Sequence, residues 1–186
     1  MTFLISTNLF RMKNIIKTFA LFSFPLIAFA HGPTPQKADE SIVISAPVEK
    51  VWSVIKQFDE VEKWHPDVKN STGDGKNESG AVRTITLQNN EQFTEELDFY
   101  SEADHLYKYR MKKENTAALP ISSHTTSFQV KAGETPNTSV VSVKSRFYRG
   151  DTGNTPSNQL SDEAAVKAMT EFFKKGLVGV QQKSTN

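Results

Sequence analysis

The sequence predicts an α+β domain in which a curved antiparallel sheet wraps around one long C-terminal helix, with two short helices after the first strand. Three observations predict it. Between Ala81 and Tyr148 the chain runs through five segments of alternating character, punctuated by turn residues. From Ala165 to Val180 small and apolar residues recur at unbroken helical spacing. Near the start, a β-branched run passes straight into an amphipathic helix opened by Pro47. Strands that alternate polar and apolar residues leave one sheet face to cover, and a long amphipathic helix laid across the concave side covers it.

The N-terminus reads as an export signal. Arg11, Lys13 and Lys17 form a cationic region with no acid before Asp39, Thr18 to Phe29 follows as an apolar run, and Ala28-Phe29-Ala30 is a small-x-small cleavage signal. The run is too short for a bilayer core, which needs about 20 apolar residues, and Pro25 breaks it. Residues 1–30 are therefore expected to be a cleaved signal peptide, residues 31–40 a flexible leader, and residues 41–183 one domain, located in the periplasm. Of the 186 residues, 156 would remain, enough for a core. The signal takes three of the 22 cations, leaving 19 against 21 acids. That near-neutral balance argues against a nucleic-acid partner or a membrane surface after cleavage. With no cysteine, disulfides, thiolate metal sites and thiol catalysis are excluded.

Ser41 to Ser45 reads as the first strand. Pro47 and Glu49 suit a first helical turn, and Val48, Val51, Trp52 and Ile55 give that helix its apolar face. A second helical piece, Asp59 to Trp64, stops at His65-Pro66, because Pro66 disfavours helical geometry in the residue before it. Strands are expected at Ala81–Gln88, Gln92–Ser101, His105–Lys113, Ser123–Lys131 and Ser139–Tyr148. The basic run Lys108, Arg110, Lys112, Lys113 alternates with Tyr107, Tyr109 and Met111, and reads as a solvated strand face. Arg149-Gly150-Asp151 reads as turn chemistry. The final helix has Ser161 as N-cap, and Ala165, Ala168, Met169, Phe172, Phe173, Gly176, Leu177 and Val180 as its buried stripe.

Local motifs carry a family resemblance. They are Ala46-Pro47-Val48-Glu49-Lys50-Val51-Trp52, Phe58 with Lys63-Trp64-His65-Pro66, Gly80-Ala81-Val82-Arg83, Glu95-Glu96-Leu97 with Tyr100, Tyr107-Lys108-Tyr109-Arg110, and Phe172-Phe173-Lys174-Lys175-Gly176-Leu177. In this order the chain resembles the START-like (SRPBCC) superfamily, the helix-grip fold of polyketide cyclases and Bet v 1-type ligand carriers. With the signal peptide it looks most like MxaD-type proteins, periplasmic accessory proteins of bacterial methanol oxidation. The resemblance implies a cavity between sheet and helix. It also implies a periplasmic dehydrogenase or cytochrome c as partner. Two alternatives are a carrier of a small hydrophobic ligand and a cyclase-like enzyme. Many relatives carry an aromatic near Val143 and a Tyr near His124, so the contents of the cavity differ here.

The candidate ligand-binding residues are Trp64, His65, Arg83, Glu95, Tyr109 and His124. Arg83 shares strand parity with Ile85 and Leu87, and Glu95 with Phe93, Leu97 and Phe99, which places both charges on apolar faces. Such charges demand partners, so the two pair either with each other in a closed core or with a ligand. Trp64 and His65 sit where relatives place the cavity entrance; a helix stop with Trp64 in the core is the competing reading. Tyr109 and His124 offer polar tips on otherwise apolar rows. No catalytic residue is assigned, since no Ser-His-carboxylate set or Gly-x-Ser-x-Gly occurs, although His124 or Tyr109 with Glu95 would make an acid/base pair. No cofactor or metal is expected. His31, as a mature N-terminus, would be a Cu(II) chelator, but the leader supplies no second His.

Overall fold

The computed structural model describes residues 32–186, so the expected signal peptide and His31 lie outside the described residues. Seven strands form one antiparallel sheet: β1 (Gln36–Ile44), β2 (Val68–Gly73), β3 (Val82–Leu87), β4 (Gln92–Ser101), β5 (Leu106–Lys113), β6 (Ile121–Ala132) and β7 (Ser139–Arg149). Helix α1 (Val48–Ile55) follows β1, and α2 (Asp162–Thr185) closes the chain. The strand order is β1-β7-β6-β5-β4-β3-β2, a meander whose first strand returns to pair with its last. The inner face buries Ile85, Leu97, Tyr107, Phe128, Val141 and Phe147 in one core with Ala165, Met169, Phe173, Leu177 and Val180 of α2. This is the curved sheet and long helix that the periodicities predict.

Four details differ from the sequence reading. Residues 36–40, expected in the flexible leader, form the first half of β1 and pair with Phe147 to Val143 of β7. The segment is an edge strand with its outer face in water, so only Ala38 of Lys37, Ala38 and Asp39 is buried, and the composition looks like that of a loop. β2 carries no alternation to read, because a register shift between Val68 and Asn70 breaks its parity. The helical piece expected over Asp59–Trp64 shrinks to a 3₁₀ turn at Val61–Lys63. Finally, Phe99 does not share the inner face with Phe93 and Leu97. A bulge between Leu97 and Phe99 turns its ring outward, where it is 44% exposed.

Helix α2 is capped as expected, the Ser161 hydroxyl accepting from the Ala164 N–H at 3.3 Å. Its 24 residues span about 36 Å. Most of the expected stripe is buried, while Ala168 and Phe172 lie half-buried at its margin. Arg149 explains the loop before α2. Its guanidinium donates to the Asp151 carbonyl (2.7 Å), the Gly153 carbonyl (2.9 Å) and the Asp162 carboxylate (2.9 Å), tying the loop to the helix N-terminus.

Candidate functional site

The register of β3 on β4 sets Arg83 directly opposite Glu95, both pointing inward and both only 4% exposed. Arg83 Nε donates to Glu95 Oε2 at 2.6 Å and Nη1 to the Phe58 carbonyl at 2.5 Å. The guanidinium also lies over two rings, 4.1 Å from the Phe58 centroid and 4.6 Å from that of Tyr109. The second Glu95 oxygen accepts from His124 Nε2 at 3.0 Å. From His124 the network continues to Thr126 Oγ1 (3.0 Å at Nδ1) and on to Ser145 Oγ (2.8 Å). Burial by itself would raise the Glu95 pKa. The Arg83 charge and the His124 hydrogen bond outweigh it and hold the carboxyl below its ordinary value.

His65 reaches the same region from the opposite wall. Its Nδ1 accepts from the Asp67 N–H (3.2 Å), so Nε2 carries the proton and donates to the Phe172 carbonyl of α2 (3.0 Å). The imidazole stacks on the Phe172 ring at 4.0 Å. Burial lowers its pKa to about 4, which keeps the ring neutral at ordinary pH. Two glycines of α2 admit this turn. A Cβ on Gly176 would meet His65 Cδ2 at 2.8 Å, and one on Gly179 would meet the Trp64 carbonyl oxygen at 1.8 Å.

Between these walls lies a cavity. Trp64, His65 and Val61 line one side, Phe172, Phe173 and Gly176 of α2 another, and Arg83, Ile85, Phe93, Glu95, Tyr109 and Phe128 the sheet. In this conformation about 20 Å³ of it can take the centre of a water molecule, room for about one water. Five of the six residues singled out from sequence thus line one space, and the sixth, His124, acts on it through Glu95. Sequence reasoning missed the Phe58 carbonyl, which strand parity cannot reveal because it belongs to a turn. It also missed Ser145, whose parity with Val143 and Phe147 does place it inward. Phe172 and Gly176 were legible as helix stripe but not as cavity wall. Among the described residues no group of three His, Asp or Glu converges as a metal site, and no helix is long and apolar enough to cross a membrane.

An antiparallel sheet gripping a long helix over a cavity with a buried polar cluster defines the helix-grip class of START- and Bet v 1-like proteins. Residues 35–185 match the family described as polyketide cyclase / dehydrase and lipid transport, and the chain belongs to that family. Similar solved structures include an uncharacterized protein from Bacillus thuringiensis, 25% identical at TM-score 0.66, covering 81% of this chain and 100% of its own. Another is the protein XoxI from Bacillus cereus, also 25% identical at 0.66, covering 81% and 96%. Ara h 8.0201 shares the fold at 16% identity and TM-score 0.61, covering 82% and 99%. No curated protein sequence matches the chain.

Proposed function

We propose that this chain is an exported, non-enzymatic binding protein that takes a small, mainly apolar molecule into the cavity between the sheet and α2. The observation that carries this reading is the buried Arg83–Glu95 pair on the cavity wall. A charge pair in a sealed core often only breaks even against apolar residues of the same size, whereas beside a pocket it orients a ligand's polar end. The surrounding rings of Trp64, Tyr109, Phe128 and Phe172 supply the apolar contact area. Family membership supports ligand binding in this fold. Since the cavity holds only about one water as it stands, a larger ligand enters by displacing the half-buried Phe172 ring. The test is native mass spectrometry of the protein purified from its own cell, beside an Ile85→Trp variant that fills the space. A stoichiometric small-molecule adduct that the variant lacks supports the reading. Adduct-free protein that also fails to bind a panel of C6–C14 alcohols, ketones and fatty acids defeats it.

The accessory role in methanol oxidation, with a periplasmic dehydrogenase or cytochrome c as partner, is a second and finer proposal. The local motifs that resemble MxaD-type proteins and the export signal favour it. Deleting the gene and assaying methanol-dependent cytochrome reduction tests it; an unchanged rate removes it.

A further inference from the structure

We propose that the outer face of the sheet is a docking surface for an extended acidic segment of a partner protein, received in a trough along β6 and anchored by Phe99. Strand registers assemble two neighbouring rows across this face. Lys37, Arg146, Thr125 and Arg110 stand opposite one another from β1 through β7 and β6 to β5. The next row runs Asp39, Lys144, Ser127, Lys108 and, on β4, Phe99. Within these two rows β6 contributes only the short hydroxyl side chains of Thr125 and Ser127, between taller cations on both flanks. The result is an open groove of about 320 Å³ with Thr125 and Ser127 at its floor.

The charges here are not used by the fold. Among the described residues Lys37, Lys108, Lys144 and Arg146 make no ion pair, while neighbouring Arg110 and Lys112 are engaged by Glu96, and Arg110 also by Asp98. Lys37 directly opposite Arg146 is a like-charge cross-strand pair, which costs stability. A lysine on edge strand β1 guards against edge pairing, but that account does not reach Lys108, Lys144 or Arg146 on interior strands. Among the described residues that line the groove, Asp39 is the one carboxylate.

An independent observation comes from the β4 bulge. It spends a break in the ladder to turn Phe99 out of the core and into water, beside Lys108, whose Nζ lies 5.6 Å from the ring centroid. On β7, Tyr148 is 38% exposed next to Arg146 in strand parity. Exposed aromatics with Arg are the composition of protein interfaces. A planar lipid surface would touch the crest of a convex sheet and leave the trough floor unfilled, whereas an extended peptide fills it. This face lies across the sheet from the cavity, so the inference stands apart from the ligand-binding reading.

Fluorescence anisotropy with the labelled octapeptide Glu-Glu-Glu-Leu-Leu-Glu-Glu-Glu tests it on the full domain. Wild type should bind with an affinity that falls steeply with salt. Lys144→Glu/Arg146→Glu should weaken binding about tenfold or more, while the equal charge change Lys167→Glu/Lys174→Glu on α2 should leave it unchanged. Phe99→Ser should lower affinity for this peptide but not for the variant peptide with Ser-Ser at its centre. Circular dichroism and melting curves check folding, and Lys108→Gln/Lys144→Gln replaces the reversal if that variant fails to fold. No binding by wild type, equal losses from both charge reversals, or tighter binding to vesicles containing anionic phospholipid would overturn the proposal.

Discussion

Gly179 of α2 and the Trp64 carbonyl meet so closely that a Cβ built on the glycine would lie 1.8 Å from the oxygen. Gly176, one turn earlier, sits 2.8 Å by the same measure from the edge of His65. Both glycines weaken a helix by about 1 kcal/mol each relative to alanine. Their presence in the middle of α2 is therefore a packing requirement, set by the turn that carries Trp64 and His65 onto the cavity wall.

Gly176→Ala and Gly179→Ala should both destabilise despite better helix propensity. Overpacking of this kind costs about 1–3 kcal/mol. Gly179→Ala should be the worse, because its obstacle is backbone while that of Gly176 is a side chain able to shift. Urea unfolding of the two variants gives the order; a stabilised Gly179→Ala would mean that α2 lies farther from the turn.

Much of this architecture was legible in sequence because its cues are periodic. Ala165 to Val180 follows one helical stripe, and Arg83 and Glu95 fall inward by parity in strands whose neighbours are apolar. What escaped was aperiodic or cooperative. Residues 36–40 become a strand only because β7 offers an unpaired edge, and no local pattern announces the bulge that turns Phe99 outward. The cavity wall on α2 was hidden for another reason. Gly176 and Phe172 look like any helix stripe until the Trp64–His65 turn is seen packed against them.

Removing one member of the Arg83–Glu95 pair strands the other in the interior. Arg83→Met or Glu95→Leu should each cost about 3–5 kcal/mol. The paired change Arg83→Met/Glu95→Leu should lie within about 1 kcal/mol of wild type or above it, leaving ligand binding as the property lost. Chemical denaturation of the three variants, read as a double-mutant cycle, checks the coupling. Near-additive losses would show that the two charges act independently.

Acid should destabilise the domain in two windows. His65 is buried neutral with a pKa of about 4 against an ordinary 6.5, so between those values the unfolded chain binds the extra proton. Stability is then fully present above about 6.5 and falls as pH drops toward 4, by about 3 kcal/mol in all. Glu95, held below its ordinary value, adds a loss at lower pH, since its contribution is present above the unfolded-state pKa and disappears as the folded pKa is passed. Urea midpoints from pH 7.5 to 4 should slope downward for wild type and run nearly flat for His65→Gln across that range. Equal slopes would remove His65 as the cause.

Phe172 and Phe173 adjoin on α2 but should respond differently to truncation. Phe173 is 5% exposed within the core cluster, so Phe173→Ala should cost about 3–5 kcal/mol, as large-to-small core changes do. Phe172 is half-buried at the margin of the stripe, and its ring spends its contacts on His65 and the cavity. Phe172→Ala should therefore cost clearly less than its neighbour, about 1–2 kcal/mol, and should change the site more than the fold. Burial is the largest cause of the lowered His65 pKa. Stripping away the stacked ring readmits water to the imidazole, so its pKa should climb from about 4 toward 6.5 while the hydrogen bond to the residue 172 carbonyl, a backbone group, is retained. The same opening should speed entry of apolar probes into the cavity. NMR titration of the His65 ring protons in wild type and Phe172→Ala reads the shift directly. An unchanged midpoint would mean that the Phe172 ring does not shield His65, and the cavity would then need another route of access.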